Sequence, residues 1–306
     1  MKVFISLITE DNDYQKEQAA VVADTAHRLG VSIQTAYAGN DAVKQTEQLL
    51  KIIQNPAERP DAILVEPVGT AMGRVAEGAA AAGVGWGLVN HEADYVAQIR
   101  KISTAPIFLI STDQEEVGRI QGRQFGALLK KGGGILYIEG PSTGGAARLR
   151  TLGMQSTKPA DADVNVLRGD WTEQSAYKVV RSWLSLSVSR HLNIRVIGCQ
   201  NDVMAIGARK AFEELPGQPG RNEWLGMPFT GCDGVPRTGQ EWVRRGLLAA
   251  TVVIPPTMGL TLEIMAKAIQ SKSQPPERTI CQPTSYPLVK ELNQGIYDVE
   301  SDGQTP

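Results

Sequence analysis

Short apolar runs rich in β-branched residues alternate with longer amphipathic segments along this chain. Val3–Ile8 is followed by Gln15–Leu29, and Ala62–Val65 is followed by Ala71–Ala82. Short apolar runs bounded by turn residues are typical of buried strands, and apolar positions that recur roughly every 3.6 residues are typical of helices. The alternation of the two predicts βαβ units and therefore parallel sheets.

The same alternation continues through most of the chain. Further strands are predicted at Val84–Val89, Ile107–Ile110, Gly134–Ile138, Val164–Leu167, Val196–Cys199, Phe229–Cys232 and Ala249–Ile254. Further helices are predicted at Gln114–Leu129, through Arg150, around Ala176–Leu186, at Val203–Leu215, at Gly239–Arg245 and near Leu260–Ile269. About eleven strands would strain one open sheet. The length of 306 residues corresponds to about two domains, so we expect two sheets.

Local signals set several boundaries. Thr172 and Asp202 are predicted helix N-caps, because their side-chain oxygens can accept hydrogen bonds from free backbone N–H groups. Gly30 is predicted to end the helix that precedes it. The segment Glu92–Pro106 is expected to be a surface excursion, and the polar tail after Leu292 is expected to be frayed.

The overall composition is that of an ordinary globular protein. Hydrophobic residues make up 42% of the chain, charged residues 21%, and the formal net charge is -2. Such a balance gives no electrostatic reason to expect a nucleic-acid or membrane partner. No run of apolar residues has the length of roughly 18 that a transmembrane helix needs.

The cysteines and the start of the chain carry no special signal. The three cysteines, Cys199, Cys232 and Cys281, lack metal-ligand spacing and are expected to be small buried hydrophobic residues. The segment Met1–Ile8 is too short for the core of a signal peptide and is better interpreted as the first strand. If the native protein is exported, we expect that its signal peptide has been removed from this chain.

Four local strings stand out in the second half of the chain: Gly144 to Gly153 (GGAARLRTLG), Cys199 to Asp202 followed by Met204 to Ala208 (CQND, MAIGA), Gly231 to Gly234 (GCDG) and Leu247 to Thr251 (LLAAT). Taken in order, they resemble the ribose and galactose/glucose-type periplasmic binding proteins of bacterial sugar importers, and the ligand-binding core of lactose-repressor-type regulators. The resemblance covers about residues 1–290, and the order and separation of the strings match the family throughout.

This resemblance implies two similar Rossmann-like α/β lobes that are joined by three crossings and close as a hinge around a ligand in the cleft between them. The crossings fall near Ile110–Thr112, Val253–Pro255 and Thr279–Gln282. The N-terminal lobe is then 1–111 plus 255–280, and the C-terminal lobe is 112–254 plus 281–306. The prediction agrees with the general rule that ligands of open parallel sheets bind beyond the carboxyl ends of strands.

In the C-terminal lobe, four residues match the family's ligand positions. Arg150 would donate to adjacent hydroxyl oxygens, although a helix surface salt bridge is the alternative. Asp233 would accept two hydroxyls, unless it only forms an Asp-Gly turn. Asn201 would donate and accept, with Asp202 as the preferred helix cap, and Trp171 would cover the C–H face of a sugar unless it is a core tryptophan.

In the N-terminal lobe, Asn12 and Tyr14 match a polar contact and an aromatic wall, although Asn12 is also a good helix cap. Asn90 and His91 follow the strand Val84–Val89 and resemble the galactose/glucose type. Arg148 lies on another face of the helix than Arg150 and is expected to be structural.

Two positions depart from the family pattern. Ile254 occupies a place where these families put an amide side chain at the hinge, and Gln15 replaces an aromatic residue next to Tyr14. Both departures leave the identity of the sugar open, and Ile254 favours a ligand with fewer hydroxyls or with an apolar edge.

The resemblance implies a non-enzymatic receptor that binds a sugar or polyol in the periplasm and delivers it to the permease of an ABC importer. No cofactor or metal is expected, and we expect a monomer. A ligand-sensing module of a signalling or regulatory system is the alternative. An enzyme is disfavoured, since the histidines His27, His91 and His191 have no neighbouring nucleophile motif and the stretch Gly140–Gly145 lacks a nucleotide-binding pattern.

Overall fold

The computed structural model describes residues 1–141, 145–186, 192–215 and 219–294. His191, the middle of the glycine-rich stretch and the tail from residue 295 onward lie outside the described residues. The described chain forms two compact units. The first comprises Met1–Asp113 and Pro255–Gln282 with residues 145–146, and the second comprises residues 114–141, 147–254 and 283–294.

The first unit contains a six-stranded, all-parallel sheet with the order β2-β1-β3-β4-β5-β11. The strands are β1 (Lys2–Leu7), β2 (Ser32–Tyr37), β3 (Ala62–Val65), β4 (Gly85–Val89), β5 (Ile107–Thr112) and β11 (Arg278–Cys281). The helices are α1 (Asp13–Leu29), α2 (Ala42–Gln54), α3 (Gly73–Ala81), α4 (Tyr95–Arg100) and α11 (Met258–Ser271).

Both faces of this sheet are covered by helices, which explains the continuous apolar runs. Every residue of β3, β4 and β5 is buried, because the strands have a core on each side. One core lies under α2, α3 and α4 and includes Trp86 and Leu109. The other lies under α1 and α11 and includes Phe108, Leu262 and Met265.

The second unit repeats the architecture. Its sheet has the order β7-β6-β8-β9-β10-β12, and all pairs are parallel except β10 with β12. The strands are β6 (Gly134–Glu139), β7 (Val164–Arg168), β8 (Ile194–Cys199), β9 (Phe229–Asp233), β10 (Ala250–Val253) and β12 (Thr284–Tyr286). The helices are α5 (Gln114–Leu128), α6 (Gly145–Thr157), α7 (Glu173–Leu184), α8 (Asp202–Glu213), α9 (Pro219–Leu225), α10 (Gly239–Arg244) and α12 (Val289–Gln294).

The two predicted sheets are confirmed, with differences at several elements. The sequence prediction omitted β2, α2, α9, β12 and α12, and it gave β11 only as a crossing near Thr279–Gln282. The prediction of a surface excursion at Glu92–Pro106 is wrong, because α4 lies within it and buries Val96 and Ile99. Gly30 does end α1, in a left-handed conformation with a φ of 64°. In the described ranges no helix has both the length and the apolar composition needed to cross a membrane.

Helices α5 and α6 of the second unit approach closely through glycines. A Cβ atom added to Gly118 would lie 1.9 Å from the carbonyl oxygen of Arg150, and one added to Gly153 would lie 1.9 Å from that of Glu115. The hydroxyl of Thr157 also donates to the carbonyl of Arg119 at 2.9 Å. The position of α6, and with it the position of Arg150, therefore depends on the absence of side chains at this contact.

We expect Gly118→Ala to destabilise the protein by about 1–3 kcal/mol, since the methyl group forces two helix backbones apart. Gly126→Ala, on the same helix, is the matched control, because a Cβ there meets nothing within 4 Å. This control should be neutral or stabilising by about 0.5–1 kcal/mol. Urea unfolding of both variants is the measurement, and equal stability of the two would contradict the close-contact explanation.

Candidate functional site

Within each unit, most of the polar residues singled out from the sequence lie at or soon after the carboxyl ends of strands, and Arg150, inside α6, is the exception. In the first sheet β1 lies between β2 and β3, and in the second sheet β6 lies between β7 and β8. At such a point the connections leave in opposite directions, which opens a crevice beyond the strand ends. Each unit therefore has one edge at which a ligand can meet polar side chains.

In the first unit, the hydroxyl of Tyr14 is the centre of a hydrogen-bond cluster. It donates to the carbonyl oxygen of Pro255 at 3.1 Å and accepts from the side-chain amides of Asn90 at 3.0 Å and Gln18 at 3.3 Å. Tyr14 is 7% exposed. The structure thus brings Tyr14 and Asn90 together, although they are far apart in sequence.

Glu66 belongs to the same cluster and was missed in the sequence analysis. It directly follows β3, is 7% exposed, and its carboxylate accepts from the amide of Asn90 at 3.3 Å. The side chain of Gln45 holds the backbone by donating to the carbonyl oxygen of Glu66 at 2.9 Å. The sequence does carry a signal for Glu66, because it is a charged residue immediately after the apolar run Ala62–Val65. Asn90 has the same position in the following βα unit, immediately after β4.

Asn12 caps a helix, which is the alternative role that the sequence left open. Its side-chain oxygen accepts from the backbone N–H of Gln15 at 2.8 Å, so Asn12 is the N-cap of α1. Gln15 in turn accepts from the backbone N–H of Ile8 at 2.9 Å and is 2% exposed. Gln15, the amide residue at the position where the resemblance implies an aromatic one, therefore connects α1 to the end of β1 by a hydrogen bond.

His91 is half-buried beside Asn90. Burial lowers the pKa of its imidazole, and the charge of neighbouring Glu92 opposes this effect more weakly. The lowered pKa favours the neutral ring at neutral pH, in which one nitrogen donates and the other accepts.

In the second unit, Arg150 is 7% exposed and its guanidinium is fixed by two hydrogen bonds. Nε donates to the side-chain oxygen of Gln114 at 2.8 Å, and Nη1 donates to the carbonyl oxygen of Gln200. The guanidinium carbon lies 5.3 Å from the centre of the Trp171 ring. Arg148, two residues earlier on the helix, is exposed. The arginine predicted to contact ligand is thus held at the carboxyl edge of the sheet next to the predicted aromatic wall.

Trp171 is half-buried and its position is fixed from two sides. Its ring lies so close to Gly140 that a Cβ atom there would be 2.3 Å from the indole. Its carbonyl oxygen accepts from the side-chain amide of Asn201 at 3.0 Å. The indole therefore packs directly on the backbone just after β6, and any side chain at position 140 would force the indole or the backbone to shift.

The prediction that Asp202 caps α8 is wrong. The N-cap is Asn201, whose side-chain oxygen accepts from the backbone N–H of Met204 at 3.0 Å. Asp202 is instead buried and accepts from the hydroxyl of Thr251 at 2.6 Å and the backbone N–H of Gly234 at 2.7 Å. The predicted cap of α7 is confirmed, since Thr172 accepts from the backbone N–H of Ser175 at 3.1 Å.

Three candidate ligand residues have strained backbone conformations. Positive φ angles occur at Asn90 (52°), Trp171 (69°) and Asp233 (105°). In the described part of the chain five non-glycine residues have a positive φ, and these three are among them. For a bulky residue such as Trp171 this conformation is costly, and strain of this kind concentrates at functional sites.

The chemistry offered by the two clusters is recognition of hydroxyl groups. They combine the carboxylates of Glu66 and Asp233, amides, a guanidinium and an indole face, which are the groups that bind polyols. Burial raises the pKa of the Cys199 and Cys232 thiols, so neither is an activated nucleophile, and Cys281 is half-buried. Among the described residues, no group of three or more His, Cys, Asp and Glu side chains could hold a metal ion.

Two α/β units with this strand order, each with a polar cluster at its carboxyl edge, define the type I periplasmic binding protein fold. The chain belongs to the family of periplasmic binding protein domains, whose model matches residues 3–273.

Several relatives share this family. The chain is 29% identical over 190 residues to a putative rhizopine-binding protein of Rhizobium meliloti, a match that spans 60% of this chain and only 58% of that protein. It is 26% identical over 283 residues to the D-allose-binding periplasmic protein of Escherichia coli K12, covering 87% and 84% of the two chains. A periplasmic solute-binding protein of an ABC transporter from Actinobacillus succinogenes, solved with D-allose, has the same fold, with a TM-score of 0.78 and 20% identity over 96% of this chain and 99% of that chain.

The lowered pKa of His91 predicts how stability depends on pH. Below the unfolded-state pKa of 6.5 the unfolded chain takes up a proton that the folded imidazole resists, so the free energy of unfolding falls as the pH decreases from 7 to 5. His91→Gln should reduce this loss, as measured by urea unfolding at both pH values. His27→Gln, which removes an exposed histidine of α1, is the matched control substitution. If all three proteins lose the same stability between pH 7 and pH 5, the loss is not caused by His91.

Proposed function

We propose that this chain binds a sugar or polyol and delivers it to the membrane permease of an ABC-type importer, without catalysing a reaction. The observation that carries the proposal is the pairing of the Arg150 guanidinium with the Trp171 ring at the carboxyl edge of the second sheet. Fixed donors beside an aromatic face match a sugar, which presents hydroxyls at its rim and an apolar C–H surface.

The second unit supplies donors to hydroxyl oxygens and a carboxylate that accepts from hydroxyl groups. A guanidinium has five N–H donors, and the bonds to Gln114 and Gln200 account for two of them. Asp233 ends β9 and is 7% exposed, close to the same strand edge. Because Gln114 and Gln200 hold the guanidinium, little side-chain freedom is lost when ligand binds.

The first unit supplies complementary groups. Glu66 provides a carboxylate, Asn90 an amide, and His91 a neutral imidazole that donates and accepts. Buried carboxylates that already accept a hydrogen bond from a neighbouring amide are well placed to accept further bonds from hydroxyls, because a carboxylate offers about four lone-pair positions. We include Glu66 in the proposed ligand shell on this basis.

The names of related proteins support sugars and polyols as the ligand class. The relatives include the D-allose-binding protein and a galactofuranose-binding protein of Escherichia coli, and a solute-binding protein of similar fold from Bacillus halodurans was solved with myo-inositol. These names also support a periplasmic location and an importer as partner, since several of the solved relatives are components of ABC transporters. A thermal-shift screen against monosaccharides, both ring forms, and polyols identifies the ligand, because binding raises the unfolding temperature.

We expect Arg150→Ala to lower the affinity for the best ligand of that screen by at least about 10-fold, since each lost charge-assisted hydrogen bond is worth about 1.5–3 kcal/mol. Isothermal titration calorimetry measures the effect. Arg148→Ala is the matched control, because this residue is exposed on the same helix, and its affinity should equal that of the wild type. Unchanged affinity in a folded Arg150→Ala variant would remove Arg150 from the ligand shell.

Glu66→Gln tests the contribution of the first unit. The substitution preserves the shape and one oxygen that can accept from Asn90, but it removes the negative charge, so we expect affinity to fall by about 10-fold with little change in stability. Glu77→Gln, at an exposed position of α3, is the control. If Glu66→Gln binds as tightly as the control, the ligand is held in this unit by Tyr14, Asn90 and His91 alone.

A further inference from the structure

We propose that Gln200 is a positioning residue: its buried side chain holds the Arg150–Trp171 pair in binding geometry before ligand arrives. The inference rests on the proposed function, because it assigns to Gln200 the task of preparing one half of that site. Gln200 itself is 0% exposed and is not proposed to contact ligand.

The side-chain amide of Gln200 connects three segments of the second unit. Its oxygen accepts from the backbone N–H of Gly140 at 2.9 Å. Its nitrogen is within hydrogen-bond distance of the carbonyl oxygen of Ala147 at 2.9 Å, the hydroxyl of Thr151 at 3.0 Å and the hydroxyl of Tyr137 at 3.2 Å. Two amide hydrogens are thus shared among three acceptors, all inside the protein.

The hydrogen bonds of Gln200 reach residues next to Trp171 and residues next to Arg150, the two side chains that are proposed to contact the ligand. Gly140 is the residue against which the Trp171 ring packs, so the bond from its N–H fixes the surface under the indole. Ala147 and Thr151 flank Arg150 on α6, and the carbonyl oxygen of Gln200 binds the guanidinium directly. One residue therefore determines the position of the aromatic face and of the arginine donors together.

The chemistry requires an amide at this position. Gly140 needs an acceptor and Ala147 needs a donor, and only a planar group with an oxygen on one side and an NH₂ on the other serves both without a charge. A methionine at position 200 has a similar length but leaves the N–H of Gly140 without its acceptor. Burying an N–H group without a hydrogen-bond acceptor costs free energy of folding. A shift of the Gly140 backbone then moves the indole that rests on it.

A second buried glutamine of the same unit separates positioning from general stability. Gln124 on α5 is also 0% exposed and donates to the carbonyl oxygen of Thr251 at 3.0 Å and the hydroxyl of Ser285 at 2.9 Å. None of these partners is a candidate ligand residue. Gln124→Met removes two buried hydrogen bonds, where Gln200→Met removes four, and it is the control for the loss of a buried glutamine in this unit.

The first experiment needs no ligand. In the ¹⁵N NMR spectrum of the free protein, the Nε–H of Arg150, which donates to Gln114, should give a slowly exchanging signal that Arg150→Lys identifies by its loss. We expect Gln200→Met to abolish or strongly shift this signal and to change the indole N–H signal of Trp171. Gln124→Met should leave both signals in place. Unchanged Arg150 and Trp171 signals in folded Gln200→Met would overturn the proposal.

The second experiment measures affinity by calorimetry with D-allose and, in parallel, with myo-inositol as probes. We expect Gln200→Met to weaken binding at least 10-fold and Gln124→Met to weaken it less than 2-fold. If the wild-type protein binds neither probe, D-allose and myo-inositol are excluded as ligands, which counts against the proposed function. The NMR comparison, which needs no ligand, still decides the role of Gln200. Equal losses of affinity in the two variants would make Gln200 a stabilising residue only.

Gln200→Glu keeps the proposal testable if the methionine variant does not fold. A protonated glutamic acid has the shape of glutamine with one donor and one acceptor, whereas the carboxylate has no donor. The Arg150 signal of Gln200→Glu should therefore approach the wild-type spectrum as the pH is lowered from 7 to 5. Gln124→Glu should show no such recovery, and the same pH response in both variants would contradict the positioning role.

Discussion

The burial of both faces of a parallel sheet is the constraint on which the rest of this structure depends. Helices cover each sheet, so the interior strands are buried and mostly apolar, and most candidate ligand residues lie at the strand ends or in the segments that follow them. At these ends the backbone leaves the sheet and its N–H and C=O groups need partners. The candidate ligand residues therefore lie among residues that complete the hydrogen bonds of the fold, and several of them make such bonds themselves.

Asn12 and Asn201 are candidate ligand residues that complete hydrogen bonds of the fold. Each caps the helix that follows its strand, and Asn201 also holds the carbonyl oxygen of Trp171. Replacing such a residue changes helix stability and the shape of the site together. Arg150 differs, because its backbone belongs to a helix while its guanidinium is oriented by groups from two other segments, Gln114 and Gln200. Donors held in this way lose little freedom on binding, which is the physical basis of preorganisation.

The sequence predicts the interior strands well and the edges poorly. Ala62–Val65 is a run buried on both faces and is found at its true position, whereas β2 is an edge strand with mixed exposure and was missed. Helix α2 could have been found, since Asp41 is its N-cap and Leu49, Ile52 and Ile53 have helical spacing. The cap of α8 was assigned to Asp202 because asparagine and aspartate have the same capping chemistry, and only the path of the chain separates them. The positive φ of Trp171 has no signature in the sequence at all. The roles of the candidate residues in ligand binding stay predictions.

The first unit is assembled from segments that are distant along the chain, and this has a consequence for its synthesis. Its sheet is completed by β11, and one of its two cores requires Leu262 and Met265 of α11, which lie more than a hundred residues after β5. A chain emerging from the ribosome therefore carries an apolar sheet face, including Val3, Leu64 and Phe108, that α1 can cover but that lacks α11 while most of the second unit is made. The second unit has most of its elements in the intervening stretch, while its β12 and α12 follow α11. Until α11 is made, this face of the first sheet is a part of the nascent protein that needs protection from aggregation.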